Sequence, residues 1–560
     1  MQNTNLPDTP TSFRRSTMPS DGLAVPDDLL HTIQGGTRDP SAKHRRRCMC
    51  VVAIVLLAAG GGVAAYVVRE KMQSGGRGNG KCAPATATLV QSIPVGEFSI
   101  KRVDDALPTH EAFIQLADFA STSLDFTAMY MALTGTEDRK HWDAKDMKRF
   151  GAGRGEAVFH SLVAAAKRGV AIRVLLGTLQ DPMNSTEVRE LLKHDNVQAR
   201  TWEPKKWYDG GIMHLKLWNA DGAAAYIGSA NADWKSLAQV KELGLLLNGT
   251  AAVADLGRIF DVFWAWAAPS VPPHRTRVYS SEFQAELTVP AWDPTVPAGL
   301  RSDNLSPFAL GRGGPLAALS SAADQQLLCL AFPGDRLVER VGWNGKRLFA
   351  AAEEEMGSGG SGGGGGDGNG SAVSEAFVSA SPGGALTLGR TPDLDALLLT
   401  IRSAERRLAL SVMDFLPASG YSGGHGNGPV WWPTLVDAIL AVAYAKPVHV
   451  RILVSRWAHT SSAQGPAMRR LADGMAACQD AYTRCLGRLE VRQYQVPGWE
   501  VTDGTHLPAN TTAKWPAFTR VNHAKYIVSD ARVNIGTSNW EWGYFHQTAG
   551  KGRLRDGGRR

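Results

Sequence analysis

Apolar and polar positions follow the same order twice along this chain. Apolar runs of strand length alternate with segments in which apolar residues recur every three or four positions, the spacing of a half-buried helix. The first set lies at about 86–290, and the second begins at about residue 376. The predicted elements are strands at 123–131, 171–177, 406–416 and 448–455 and helices at 156–169 and 435–446. This repetition predicts an α/β fold built by internal duplication.

The region between the two halves follows neither pattern. Its residues 356–371 are dominated by glycine and serine, a composition that favours a flexible surface insertion over a packed core. We therefore expect a first lobe at 86–290, an irregular linker at 291–375 and a second lobe at 376–560.

An apolar run at 48–68 precedes the first lobe and contains no charged side chain. As a helix it would be about 31 Å long, enough to cross the roughly 30 Å core of a bilayer. Basic residues at 43–47 come just before it, so the positive-inside rule places the N-terminus in the cytosol. We predict a disordered cytosolic tail at 1–47, a type II signal-anchor at 48–68 and a stalk at 69–85. A cleaved signal peptide is the alternative.

The composition excludes two broad classes of protein. Apolar residues make up 44% and charged residues 20%, which excludes wholesale disorder and a multi-span membrane protein. The formal charge is +7, and most of this excess lies before residue 82. The remaining body is nearly neutral, so any basic track for a polyanion must be local.

Other features after the apolar run agree with a luminal body. Acceptor sequons for N-glycans occur only after the run, at Asn184, Asn248, Asn304, Asn369 and Asn510. In an oxidising lumen two disulfides could form, with a pairing that the sequence does not reveal, or the thiols could stay free and buried; these cysteines are Cys82, Cys329, Cys478 and Cys485.

The strongest signal is a pair of matching polar motifs, one in each half. They comprise His214, Lys216, Asp221 and Asn231 in the first half and His523, Lys525, Asp530 and Asn539 in the second. A histidine and a lysine two positions apart on a strand point to the same face, so each motif offers an imidazole and an ammonium to one cleft. The aspartates fall on the opposite parity, which indicates a structural role within this candidate set.

Two such sets suit phosphoryl transfer. One imidazole can attack phosphorus and form phosphohistidine, while the other protonates the leaving oxygen and then activates water. The ammonium and amide groups can stabilise charge on the non-bridging oxygens. This chemistry needs no metal and no other cofactor, and no cluster of His, Cys, Asp or Glu shows ligand spacing.

The paired motifs resemble those of the phospholipase D superfamily, and in particular its type II membrane branch, phospholipase D members three and four. The similarity extends over segments 89–96, 228–244, 411–417, 450–459 and 534–550. It implies two pseudo-symmetric lobes, each a mixed β-sheet flanked by helices, with the active site at their interface and a transmembrane helix before them. It also implies an endolysosomal enzyme that digests single-stranded DNA and RNA from the 5′ end, in a branch also linked to lipid transphosphatidylation.

The resemblance further implies a role for each polar side chain. His214 matches the usual nucleophile and His523 the general acid/base, although the pseudo-symmetry leaves these roles exchangeable. Glu242 matches a carboxylate that orients a catalytic imidazole and stabilises its protonated form. The side chains that match the phosphate clamp are Lys216, Lys525, Asn231 and Asn539.

The chain departs from the branch in two places. Gln547 stands where the branch has a glutamate, and we expect this amide to leave His523 without a charged partner unless Glu541 or another acid substitutes. The first lobe also continues after its motif through a strand at 244–249 and a helix at 253–266, whereas the second lobe lacks this continuation. Either the second lobe is incomplete, the chain is truncated, or another segment fills the place.

Aromatic side chains near the motifs could stack nucleic-acid bases, and core packing is their alternative role. The candidates are Tyr130, Trp207, Tyr208, Trp234 and Phe415, with Lys205 and Lys206 as candidates for phosphate contacts.

The leading hypothesis is a phosphodiesterase that acts through phosphohistidine, as a 5′-exonuclease on single-stranded DNA or RNA in the endolysosomal lumen, reached through the endoplasmic reticulum. The alternatives are a phospholipase or transphosphatidylase acting on phospholipids, and a catalytically impaired membrane glycoprotein. A nuclease needs stacking aromatics and a basic track, whereas a lipase needs an apolar channel. A homodimer is left open.

Overall fold

The computed structural model describes residues 48–53, 55–59, 65–73, 85–96, 100, 102–177, 184–208, 210–248, 250–271, 273, 275–280, 285–290, 329–331, 373–382, 392–419, 430–480, 484–503, 512–530 and 532–547. The predicted tail at 1–47, the stalk beyond residue 73 and most of the 291–375 linker lie outside these residues. So do Cys82 and the sequons at Asn304, Asn369 and Asn510.

The apolar run forms strands and not the helix that we predicted for it. They are β1 (Cys48–Ala53), β2 (Val55–Ala59) and β3 (Ala65–Gln73). The run is rich in valine, whose β-branched side chain favours extended strands, so its composition fits these strands as well as a helix. Within the described part of the chain, no helix combines the length and the hydropathy needed to cross a membrane.

The first lobe is a mixed sheet with helices on both faces. Its strands are β4 (Ala85–Ser92), β5 (Leu107–Pro108), β6 (Ser123–Ala128), β7 (Met131–Ala132), β8 (Ala171–Gly177), β9 (Val197–Trp202), β10 (Leu217–Ala220), β11 (Ala224–Gly228), β12 (Ala232–Asp233) and β13 (Glu242–Asn248). Its helices are α1 (Thr109–Phe119), α2 (Ala144–Phe150), α3 (Gly153–Lys167), α4 (Thr186–Leu191), α5 (Lys205–Tyr208), α6 (Trp234–Ala238) and α7 (Thr250–Trp266). A hairpin of β14 (Arg275–Ser280) and β15 (Ala285–Pro290) follows.

Strand pairing in this lobe runs in the order β4, β13, β11, β10, β6, β8, β9. The pairs from β4 to β6 are antiparallel, and β6, β8 and β9 are parallel. Alternate residues of β10 face opposite layers: Trp218 packs with Phe113 of α1, and Leu217 lies in the cluster that contains Phe260 of α7.

The second lobe repeats this plan. Its elements are β16 (Cys329–Ala331), β17 (Val373–Ser381), α8 (Asp393–Arg402), β18 (Arg407–Val412), α9 (Thr434–Ala445), β19 (His449–Ser455), α10 (Gln464–Asp480), β20 (Arg488–Tyr494), β21 (Lys525–Ser529), β22 (Arg532–Gly536) and α11 (Trp542–His546). Strands β22, β21 and β18 pair antiparallel, and β18, β19 and β20 pair parallel, as their counterparts do. The predicted mixed α/β fold with two similar lobes is confirmed.

The lobes differ at one position of the sheet, which lies between β4 and β11 in the first lobe and between β17 and β22 in the second. In the first lobe β13 fills it, pairing with β4 and β11. In the second lobe β2 and β3 lie there, each pairing with β17 and with β22. Part of the N-terminal apolar run thus lies at the position that β13 occupies in the first lobe.

The two lobes share one hydrophobic core. A single cluster of buried side chains includes Leu215 and Ile227 of the first lobe and Leu410, Ile527 and Ile535 of the second. A packed core of this kind deforms little, so it fixes the positions of polar groups along the interface.

Candidate active site

Both motif histidines lie at the interface between the lobes. Lys216 comes directly before β10, and Lys525 opens β21. Each lysine Nζ donates to the carbonyl of its own histidine, at 2.6 Å for His214 and 2.7 Å for His523. The two imidazole rings are 6.2 Å apart between centroids and nearly perpendicular. The structure therefore brings together the four groups that spacing alone predicted to share one cleft.

Glu242 connects the lobes at this cleft. It opens β13 in the first lobe, and its carboxylate lies 2.9 Å from Nδ1 of His523 in the second. Ser229 donates from Oγ to the same carboxylate at 2.5 Å, and the backbone N–H of His523 donates to the carbonyl of Lys241 at 2.8 Å. The carboxylate thus orients the imidazole of the opposite lobe.

Opposing effects set the charge of this pair. Burial raises the pKa of Glu242, but His523, Lys525 and the Ser229 hydroxyl outweigh it and hold the pKa below its ordinary value. Burial also lowers the pKa of His523 to about 4, although Glu242 opposes this shift. At neutral pH these pKa values favour a charged carboxylate that accepts a hydrogen bond from a neutral imidazole.

His214 has different surroundings. Burial, followed by the charges of Lys216 and Lys525, lowers the pKa of this histidine well below its ordinary value. Its Nδ1 is buried and has no hydrogen-bond partner within the described part of the chain, and the same is true of Oε1 of Gln547. The neutral form, which is the nucleophilic one, is therefore favoured at His214.

Our expectation that Gln547 deprives His523 of its charged partner is wrong. Each orienting group acts across the interface, since Glu242 of the first lobe contacts His523 of the second. By the pseudo-symmetry of the lobes, Gln547 corresponds to a partner for His214. Sequence spacing alone pairs each acid with a motif, but it does not tell in which lobe the acid acts.

Both asparagines are buried beside the cleft. Asn539 donates from Nδ2 to Asp414 at 3.0 Å and to the Tyr544 hydroxyl at 3.2 Å, and the Tyr544 ring lies 5.4 Å from that of His214. Burial raises the pKa of Asp414 to about 6, with Lys525 opposing the shift. Sequence reasoning did not assign roles to Asp414 and Tyr544, although both lie in segments that carry the family resemblance.

The two lysines are also buried, and burial disfavours their charged form. Burial lowers the pKa of Lys525 to about 7 and that of Lys216 well below its ordinary value. A substrate phosphate placed between the lobes would supply negative charge and raise both pKa values again. The cleft can thus bind a phosphodiester with four donor side chains, the two lysines and the two asparagines.

The motif aspartates lie outside the cleft. Asp221 is in the turn after β10 and accepts hydrogen bonds from Ser121, Thr122 and Ser123 at 2.7–2.9 Å. Asp530 follows β21 and accepts from the backbone of Glu405 at 2.6 Å and of Arg406 at 2.7 Å. Both carboxylates tie the far end of a motif strand to the start of its neighbour, so their contacts are structural.

Most of the aromatics that we named as base-stacking candidates belong to the core. Their side chains are almost completely buried in the cases of Trp207, Tyr208, Trp234 and Phe415. Tyr130 is half-buried and bonds through its hydroxyl to Asp233. Of the two roles that the sequence left open for these residues, the burial of these four side chains agrees with core packing, because a neighbour in sequence need not face the cleft. Lys205 is exposed, and Lys206 pairs with Glu203 at 2.8 Å.

Two further observations concern cysteines and metals. Cys478 at the end of α10 forms a disulfide with Cys485, so one pair of the predicted set is defined. Among the residues that the structure describes, no group of three or more His, Cys, Asp or Glu side chains could hold a metal ion.

Two family models match the chain, one in each lobe. Residues 147–264 match the PLD-like domain of cardiolipin synthase, and residues 369–498 match the PLD-like domain of PLD3/4.

Curated relatives match most of the chain. The human 5′-3′ exonuclease PLD3 is 28% identical over 84% of this chain and 75% of its own length. Phospholipase D Z of Dictyostelium discoideum is 29% identical over 84% and 85%. The mouse 5′-3′ exonuclease PLD4 is 28% identical over 83% and 72%. Among solved structures, phosphatidylserine synthase of Haemophilus influenzae covers 76% of this chain and 79% of its own, with 10% identity and a TM-score of 0.35.

Proposed function

The chain belongs to the phospholipase D superfamily, and from this premise we propose that it is a 5′-exonuclease that degrades single-stranded DNA or RNA through a phosphohistidine intermediate. The superfamily domains and the exonuclease relatives make it a phosphodiester hydrolase. The observation that carries the mechanism is the pair of facing imidazoles, of which His523 alone has a carboxylate partner among the described residues.

This asymmetry supports a division of roles. Nε2 of neutral His214 attacks phosphorus, and the bond from phosphorus to the leaving oxygen breaks as His523 gives that oxygen a proton. His523 then takes a proton from water, and this water displaces His214 from phosphorus. Glu242 stabilises the imidazolium form of His523, which donates its proton in the first step and is formed again when His523 takes a proton from water. The phosphate raises the pKa of His523 on binding, which loads the proton that the first step needs.

The names of the relatives support the nucleic-acid substrate, since those from mammals are 5′-3′ exonucleases. The second candidate is a lipid substrate, favoured by the two Dictyostelium relatives that are named phospholipases D. Both substrates are phosphodiesters, so the cleft chemistry is common to the two.

End-labelled single-stranded DNA separates these candidates. We expect the purified protein to shorten it from the 5′ end, more readily than it releases choline from phosphatidylcholine vesicles, when both are tested at acid and at neutral pH. His214→Ala and His523→Ala should each abolish cleavage. Release of choline without shortening of DNA would favour the lipid candidate, and activity on neither substrate would favour an impaired enzyme.

We further propose that the body lies in the lumen of the endoplasmic reticulum and of endosomes and lysosomes, anchored by residues 48–68. The apolar run, the basic residues before it and the exposed sequons at Asn184 and Asn248 support this topology. An apolar segment satisfies its backbone either as a helix in lipid or as strands in a sheet, and the two arrangements exclude each other. Protease added to intact microsomes should leave a glycosylated fragment slightly shorter than the full chain, whereas digestion of the body would invert the topology.

A further inference from the structure

Three aromatic rings lie together at the surface of the second lobe, in contrast to the buried aromatics near the motifs. Phe518 is 46% exposed, and its ring stacks on that of His459 with 4.6 Å between centroids and 15° between planes. Trp457 meets His459 edge to face at 4.8 Å. We call these three side chains the aromatic platform.

The platform is connected to the catalytic histidine on both sides. Phe518 precedes His523 by five residues, a stretch that spans at most about 17 Å. Trp457 follows Ser455, the last residue of β19, and the Ser455 hydroxyl donates to the carbonyl of Asn522. Phe518 and Trp457 therefore both belong to segments that lie next to His523.

The backbone holds Phe518 in an unusual conformation. Its φ of 60° lies in the left-handed region, which bulky side chains rarely adopt. The neighbouring residues enforce it, because Thr519 donates from Oγ1 to the carbonyl of Pro516 at 2.6 Å and Arg520 donates from its backbone to Gln239 at 3.1 Å. A strained backbone that presents an apolar ring to solvent does nothing for folding stability, and such strain is concentrated at functional sites.

A cationic residue, Arg456, directly precedes Trp457 in the sequence. Arg456 is exposed, and its guanidinium is 5.4 Å from the ring centroid of Trp499. Stacking rings together with a local cation are the two features by which proteins bind single-stranded nucleic acids without reading their sequence.

We propose that Phe518, His459 and Trp457 form a platform on which bases of a single-stranded substrate stack while its scissile phosphate lies between His214 and His523. This inference rests on the proposed nuclease function and adds the surface that recognises the substrate. A phospholipid has no aromatic base, so the platform would favour nucleic acid over lipid.

The test compares a single-stranded oligodeoxythymidine with the same oligonucleotide carrying abasic sites in its first nucleotides. Phe518→Asn is the main variant, since asparagine tolerates a positive φ but offers no ring. We expect it to raise KM for oligodeoxythymidine by roughly tenfold, within the range found for the loss of one stacked base, and to leave kcat nearly unchanged. The KM for the abasic substrate should stay as in the wild type, because no base is there to stack.

Two further variants sharpen the result. His459→Phe keeps an aromatic ring and should retain the wild-type KM, whereas His459→Ala should raise it. Phe119→Asn is the matched control, since Phe119 is 55% exposed at the end of α1, beside the turn anchored by Asp221 and away from the cleft. Its KM should not change. The melting temperature of Phe518→Asn should equal or exceed that of the wild type, which a merely structural role would not allow.

The outcomes separate the two proposals. If the wild type shortens both oligonucleotides and Phe518→Asn has an unchanged KM for oligodeoxythymidine, the platform is refuted and the nuclease function stands. An equal rise in KM on the abasic substrate would likewise refute base stacking. If the wild type shortens neither oligonucleotide, the proposed function is overturned together with the platform.

Discussion

At the scale of single residues, the two motif histidines are chemically unequal. His523 has a charged partner in Glu242, whereas Nδ1 of His214 lacks a partner among the described residues. A buried polar atom without a hydrogen bond costs free energy, and among the described residues no carboxylate meets this nitrogen to stabilise a protonated His214. Oε1 of Gln547, the residue equivalent to Glu242 by symmetry, likewise has no hydrogen-bond partner in the part of the chain that the structure describes.

Restoring a carboxylate on the side of His214 should therefore raise turnover. We expect Gln547→Glu to increase kcat, and by no more than about tenfold, the lower end of the range known for groups that orient a ligand histidine. Steady-state kinetics on a single-stranded oligonucleotide measures this. An unchanged or reduced kcat would show that the amide does not limit the enzyme.

The opposite substitution, from carboxylate to amide, tests the partner of His523. Glu242→Gln preserves the shape of the side chain but removes the charge that stabilises protonated His523, so we expect kcat to fall by about tenfold or more. The rate of the first step, in which His523 donates a proton to the leaving oxygen, should fall the most. A kcat equal to that of the wild type would contradict the role of Glu242 as the orienting carboxylate.

The lowered pKa of His523 also predicts how stability depends on pH. Its pKa is 6.5 ordinarily and about 4 in the folded chain, so between these values the unfolded state binds more protons. Stability is therefore fully present above pH 6.5 and is lost as the pH falls towards 4. His110 and His546, whose pKa values burial also lowers to about 4, act in the same sense. Thermal melting should show this decline, with a shallower slope for His523→Gln, and a melting temperature that rises on acidification would contradict it.

At the scale of elements, the N-terminal apolar run has two competing places. As β2 and β3 it pairs with β17 and β22, where the first lobe has β13. As a helix in a bilayer it would leave that edge of the second lobe to another partner. The same apolar composition is compatible with both arrangements, because a helix and a paired strand each provide hydrogen bonds for the backbone.

Removing residues 1–73 distinguishes the two places. Under the proposed topology, the truncated protein should be released from membranes and keep the melting temperature and kcat of the full chain in detergent. The reason is that an anchor contributes to location and not to the fold of the body. A large drop in melting temperature would instead assign β2 and β3 to the second lobe.

At the scale of the whole molecule, the active site exists only because two lobes meet. Each lobe supplies one imidazole, one ammonium and one amide, and the shared core holds them in register. Imidazole and ammonium groups fill all the chemical roles of the proposed mechanism, which leaves none for a metal ion.

Treatment with a strong chelator should therefore leave the activity intact. We expect the rate of oligonucleotide cleavage after incubation with EDTA and removal of the chelator to match that of the untreated enzyme. Loss of activity that a divalent ion restores would overturn the mechanism without metal.

The repeated motifs determined a large share of this picture from sequence alone. In each motif the histidine and the lysine are two positions apart, as in His214 and Lys216. Residues at this spacing in an extended chain point to the same side, so the sequence predicted which groups would share a face. The duplicated hydrophobic pattern likewise predicted two α/β lobes, because periodicity reports which faces are buried.

Other features depended on contacts between distant segments. Only the tertiary structure decided that Glu242 of one lobe contacts His523 of the other, that Asn539 bonds to Asp414, and that Phe518 faces solvent while Trp234 is buried. These relations join residues far apart in sequence, and no local pattern carries them. Burial and partnership are properties of the packed whole, whereas spacing and periodicity are properties of the chain.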